Sequence, residues 1–182
     1  MSIQVPTRDQ VNESSQAIFD NLEKGLGMVP NLYAAIGYSS TALGAFLAYG
    51  QAVDSKNTFN AKEREVIKLA ASEANECGYC ISAHTAISKM NGFSEDETIE
   101  FRTGTSSNPK YAVLARISRE IALNRGDVSE ETLNAFFAEG YDNTALFDLL
   151  AVVIDITFTN FAGRLAKVPV DFPAVQDLTV NA

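Results

Sequence analysis

Apolar residues recur along most of this chain every three to four positions, the period of an amphipathic helix, and nowhere alternate with the period of two that marks a half-buried strand. Each periodic stretch has its own start and stop signals. The first spans residues 7–24, with Val11, Ile18, Phe19 and Leu22 as its apolar side and Gly25 and Gly27 behind it. Pro30 takes the first position of a short helix through Ile36. Ser39 or Ser40 caps a third helix through about Val53. Asn60 with Glu63 forms a capping box and opens a strong helix through about Asn75, whose buried stripe is Val66, Ile67, Ala70, Ala71 and Ala74. A further helix runs from about Cys77 to Met90 and stops at Asn91-Gly92. Ser94 and Glu97 box the start of a short helix ending near Gly104. Asn108 caps the next, with Pro109 at its first position and Gly126 as its stop. Residues 129–139 form another.

The last helix, residues 143–163, is apolar over most of its circumference, as expected of a central core helix or a subunit interface. From Lys167 the chain reads as an extended tail. The expected fold is all-α, one domain over residues 1–182, with residues 60–92 as a helix pair at its core.

Composition narrows the function classes. The chain has 182 residues, 46% apolar and 20% charged, enough to bury a core and unlike a disordered segment. A net charge of −9 argues against nucleic acid or an anionic membrane as partner, since both select a basic face. The N-terminal residues lack the apolar segment of a secretion signal. The longest unbroken apolar run, residues 149–154, is far short of the roughly 20 residues of a membrane span. The expected location is the cytoplasm. A homo-oligomer is expected because the last helix offers more apolar surface than a small monomer hides.

The chemistry is concentrated. Both cysteines of the chain and its only histidine fall within the eight residues from Cys77 to His84. Three-residue spacing brings the two sulfurs to one helix face, and His84 follows Cys80 by four residues on the same face. A close cysteine pair in a reducing compartment is redox-active or metal-binding more often than a structural staple. Structural zinc takes four ligands, and two cysteines with one histidine do not supply them, so no metal and no cofactor are expected. The amides of a helix start stabilise a thiolate, which favours Cys77 as the more acidic thiol; proximity to His84 favours Cys80.

These residues resemble the carboxymuconolactone decarboxylase superfamily, and within it the alkylhydroperoxidase D-like branch. The resemblance lies in Glu65, twelve residues before Cys77, then Cys77-Gly-Tyr-Cys80, then His84. Phe158-Thr-Asn-Phe161 and Val170-Asp-Phe172-Pro173 are similar to the peroxidase-related members of the group. The resemblance implies an all-helical, oligomeric enzyme that reduces a hydroperoxide substrate with its cysteine pair and is itself re-reduced by an external dithiol. It implies Cys80 as the attacking thiol, Cys77 as the resolving thiol, and His84 with Glu65 as a proton relay through water. Cys77, nearer the helix end and more exposed, then suits exchange with the reductant. Studied members carry a second histidine where this chain has Tyr79. A redox switch without turnover, or a decarboxylase-like enzyme of the same superfamily, are the alternatives; the cysteine pair argues against the second.

Overall fold

The computed structural model describes residues 2–178; Met1 and residues 179–182, which the expected domain and tail include, lie outside the described residues. Nine α-helices and no strand occur among the described residues: α1 (Glu13–Leu26), α2 (Asn31–Ile36), α3 (Ser40–Ser55), α4 (Ala61–Ala74), α5 (Gly78–Met90), α6 (Glu95–Thr103), α7 (Pro109–Leu123), α8 (Glu130–Ala138) and α9 (Asn143–Ala166). The caps explain most of these boundaries. Asn60 and Ser94 accept from the amides of Glu63 and Glu97, whose carboxylates reach back to the cap amides, as the capping-box pattern predicts. Asn108 caps α7 with Pro109 at its start.

Three boundaries differ from the sequence reading. Residues 7–24 are not one helix. The Thr7 amide donates to Gln10 Oε1 at 2.9 Å and closes a single 3-10 turn, after which Asn12 accepts from the Ser15 amide at 2.9 Å and starts α1 afresh. Pro30 precedes α2 as its extended cap rather than occupying its first position. α9 runs three residues past Gly163, to Ala166, and ends on Lys167 in the left-handed region.

α4 lies at the centre, packed against α5, α6, α7 and α9. Val66, Ile67, Ala70 and Ala71 of its predicted stripe are buried, with Leu69 beside them. A smaller apolar cluster of Val11, Phe19, Ala34 and Leu43 joins the N-terminal helices. By length and composition α9 could cross a membrane. Here one face of it, Leu149, Val152, Val153 and Ile156, is core packed against α2, α3, α4, α5 and α7. The other face exposes Phe147, Ile154, Phe158, Phe161 and Leu165.

Candidate active site

The turn between α4 and α5 fixes the first cysteine. Glu76 takes a left-handed φ of 52°, its amide donates to Glu73 O, and the Cys77 amide donates to Ser72 O. This pair of bonds is a Schellman stop, with glutamate at the position where glycine is usual. The chain then re-enters a helix at once with Cys77 as its cap. Cys77 Sγ accepts from the Cys80 amide at 3.3 Å, so the sulfur takes the place a serine oxygen fills at other helix starts.

Cys77 and Cys80 are joined in a disulfide, with Cα atoms 5.3 Å apart. Neither sulfur is a surface group: Cys77 is 1% exposed and Cys80 3%. The expectation that Cys77 is the more exposed therefore fails, because α9 crosses directly over the pair. A methyl group at Gly163 would sit 2.9 Å from Cys77 Sγ and 3.9 Å from Cys80 Sγ. A cavity of about 480 Å3, between the start of α5 and the end of α9, nevertheless reaches Cys77 and not Cys80.

One turn beyond Cys80, His84 Nδ1 lies 2.8 Å from Glu65 Oε2, with both side chains largely buried. An ionised Glu65 holds the proton on Nδ1 and leaves the lone pair on Nε2. The structure thus places the four residues singled out in the sequence as two pairs, Cys77–Cys80 and Glu65–His84, with Cys80 and His84 one turn apart on α5. The arrangement provides two thiols when reduced, and a base oriented by a buried carboxylate.

Tyr79 faces elsewhere. Its hydroxyl donates to Asp171 Oδ1 at 2.6 Å and accepts from the Leu32 amide at 3.3 Å, while Asp171 Oδ2 accepts from the Asn31 amide at 2.8 Å. Burial, and next the bond to Asp171, push the phenol well above its ordinary value, so it stays protonated. Tyr79 is therefore a clasp that ties α5, α2 and the C-terminal tail together, not a substitute proton carrier. Sequence reasoning missed Asp171 and Gly163. A lone glycine inside an otherwise bulky helix was the available signal for close packing; Asp171 stood out only within the Val170-Asp-Phe172-Pro173 resemblance, with nothing to pair it with Tyr79.

Residues 41–109 match the model of the carboxymuconolactone decarboxylase family, a stretch that contains Glu65, both cysteines and His84. Over that stretch the chain is similar to the carboxymuconolactone decarboxylase family. Among solved structures it is similar to an alkylhydroperoxidase AhpD core, an uncharacterised peroxidase-related protein from Ralstonia eutropha JMP134: TM-score 0.81, 20% identity, covering 93% of this chain and 92% of that one. A peroxidase-related protein from Silicibacter sp. TM1040 aligns with TM-score 0.75 and 20% identity over 95% and 91% of the two chains. The debrominase Bmp8 aligns with TM-score 0.73 and 18% identity over 87% of each. These likenesses show that the chain shares the all-helical fold of those structures. No curated protein sequence matches the chain.

Proposed function

We propose that this protein is a thiol-dependent hydroperoxide reductase, an antioxidant enzyme whose two-electron reductant is the Cys77–Cys80 pair. The observation that carries the reading is the buried Glu65–His84 pair one helical turn from a cysteine pair already joined as a disulfide. His84 takes the proton of the Cys80 thiol, and the thiolate attacks one peroxide oxygen. The S–O bond forms as the O–O bond breaks, and the leaving alkoxide takes the proton from the imidazole. Sulfur is oxidised to a sulfenic acid and the peroxide reduced to an alcohol. Cys77 then attacks the Cys80 sulfur, the S–S bond forms, and hydroxide leaves as water with the Cys77 proton. An external dithiol, entering by the cavity at Cys77, restores both thiols. The amide that Cys77 Sγ accepts from steadies the thiolate released in that exchange.

The test is peroxide consumption with several dithiol reductants in the wild type and in both cysteine variants. Cys80→Ser abolishes consumption. Cys77→Ser completes one turnover and leaves a sulfenic acid on Cys80 that dimedone traps. A sulfenate trapped on the remaining cysteine of Cys80→Ser reverses the two roles, and two free thiols surviving an equivalent of hydroperoxide in the wild type end the reading. A bromopyrrole belongs in the same assay, because the debrominase of this fold has been solved with 2,3,4-tribromopyrrole. Thiol loss with the haloarene and none with hydroperoxides would reassign the substrate.

A further inference from the structure

The face of α4 that presents Glu65 continues as a file of polar residues through the apolar core. Lys68, Ser72 and Asn75 follow at helical spacing, and each meets a partner on α9. Lys68 Nζ lies 3.5 Å from Asp155 Oδ2, Asn160 Nδ2 donates to Ser72 Oγ at 3.0 Å, and Asn75 Nδ2 donates to Asn160 Oδ1 at 2.9 Å. Lys68–Asp155 is thus the next pair along from Glu65–His84, with residues 65 and 68 on one helix face.

Asp155 is costly to bury. It is 6% exposed, and its second oxygen, Oδ1, is shielded from solvent with no hydrogen-bond partner. Space for it exists because α3 carries Gly50 opposite; a methyl group there would lie 3.2 Å from Oδ1. The charged and titratable groups facing the carboxylate are Lys68 from α4, His84 from α5, Asp54 and Tyr49 from α3 and Tyr33 from α2. Asp54 is itself paired with Arg64 at 3.0 Å. Burial pushes the Asp155 carboxyl up, Asp54 adds to this, and Lys68 and His84 oppose it. Burial also pushes the Tyr33 phenol up to about 12, which leaves it neutral. Ionised Glu65, Lys68 and Asp155 together carry one excess negative charge, and a single proton, on the imidazole or on the Asp155 carboxyl, cancels it. The two pairs are neighbours along one face of α4, so a charge on one acts on the other.

We propose that Lys68 and Asp155 are positioning residues for His84: with Glu65 they keep one exchangeable proton within the buried network and set the pH at which the imidazole releases it. The proposal rests on the reading of His84 as the proton acceptor of the thiol. The proton is the one described above, taken from Cys80 and returned to the departing alkoxide. Asp155 touches neither sulfur nor peroxide in this scheme; its charge favours the imidazolium formed between the two transfers.

Because His84 is the only histidine, its ring gives one set of NMR signals, and its titration can be followed directly. In the wild type, the ring of His84 and the labelled carboxyl carbon of Asp155 show inflections at a shared pH. In Asp155→Asn, which keeps the shape of the side chain, the midpoint of the ring titration moves down by about one pH unit or more. The pH profile of single-turnover thiol oxidation shifts with it. A merely structural Asp155 would lower the melting temperature and leave the ring midpoint in place; that result, or independent inflections in the wild type, overturns the proposal. The wild-type measurement decides the matter if the variant does not fold. Failure of the wild type to consume hydroperoxide would remove the proposed function, while the ring titration still reports the coupling.

Discussion

Gly163 is the residue on which the closeness of α9 to the cysteines depends. Alanine there gains about 1 kcal/mol of helix propensity over glycine. It also places a methyl group 2.9 Å from Cys77 Sγ, a crowding that in packed cores costs about 1–3 kcal/mol. The two effects separate by redox state. A sulfur held in a disulfide cannot turn away, whereas a free thiol can rotate. Gly163→Ala should therefore destabilise the oxidised protein and leave the reduced protein unchanged or slightly more stable. Thermal melts of both forms check this; equal shifts in the two would show that α9 simply moves aside.

At the scale of elements, the junction of α7 and α8 shows how one carboxylate can start a helix. Glu120 of α7 accepts from the Ser129 amide at 2.8 Å and from Thr132 Oγ1 at 2.5 Å, at the N-terminus of α8. Burial pushes this carboxyl up, but the bonds from Thr132 and Ser129 outweigh it and the net position is below the ordinary value. A lowered carboxylate contributes stability above its unfolded value, about 4.3, and loses it as the pH falls through the folded value. Glu120→Gln should then lower unfolding stability by about 1 kcal/mol at pH 7, with the deficit closing in the acid range. Denaturant titrations at pH 7 and near pH 3 read this directly; a deficit that persists unchanged in acid contradicts it. Signals confined to one turn were legible in the sequence: the boxes at Asn60 and Ser94, the Asn108-Pro109 start, and the Cys80 and His84 spacing; Glu65, 19 residues before His84, came only with the family resemblance. The double start before α1 was misread because Thr7 to Gln10 closes a turn with the same residue types that begin a helix. Lys68–Asp155, Gly163 over the sulfurs and Tyr79–Asp171 join residues that are tens of positions apart, and no local pattern encodes such pairs.

At the scale of the molecule, the outer face of α9 is only partly covered within the chain, by the stacking of Phe158 on Phe46 of α3. Phe147, Ile154, Phe158, Phe161 and Leu165 stand 42–77% exposed and recur at steps of seven, four, three and four, the spacing of a helix–helix seam. A monomer of this size seldom leaves such a stripe in water. Self-association through α9 is the expected outcome, with light scattering giving a multiple of 19.7 kDa and Phe161→Glu reducing it. A monomer mass for the wild type at micromolar concentration would exclude the seam.

The clasp at Tyr79 also orders events in time. α4 and α5 are neighbours in the chain, so the Schellman turn, the cap at Cys77 and the meeting of the two sulfurs need only local closure. Asp171 reaches Tyr79 across 92 positions and the Asn31 amide across 140. Contacts of that sequence separation form late, because the loop they close loses the most entropy before any contact rewards it. During refolding the cysteines are therefore adjacent before the tail is docked, while the route to them is still open. An oxidant present at that stage meets a reactive pair not yet closed in by α9 and the tail, and in the nascent chain both of these follow the cysteines.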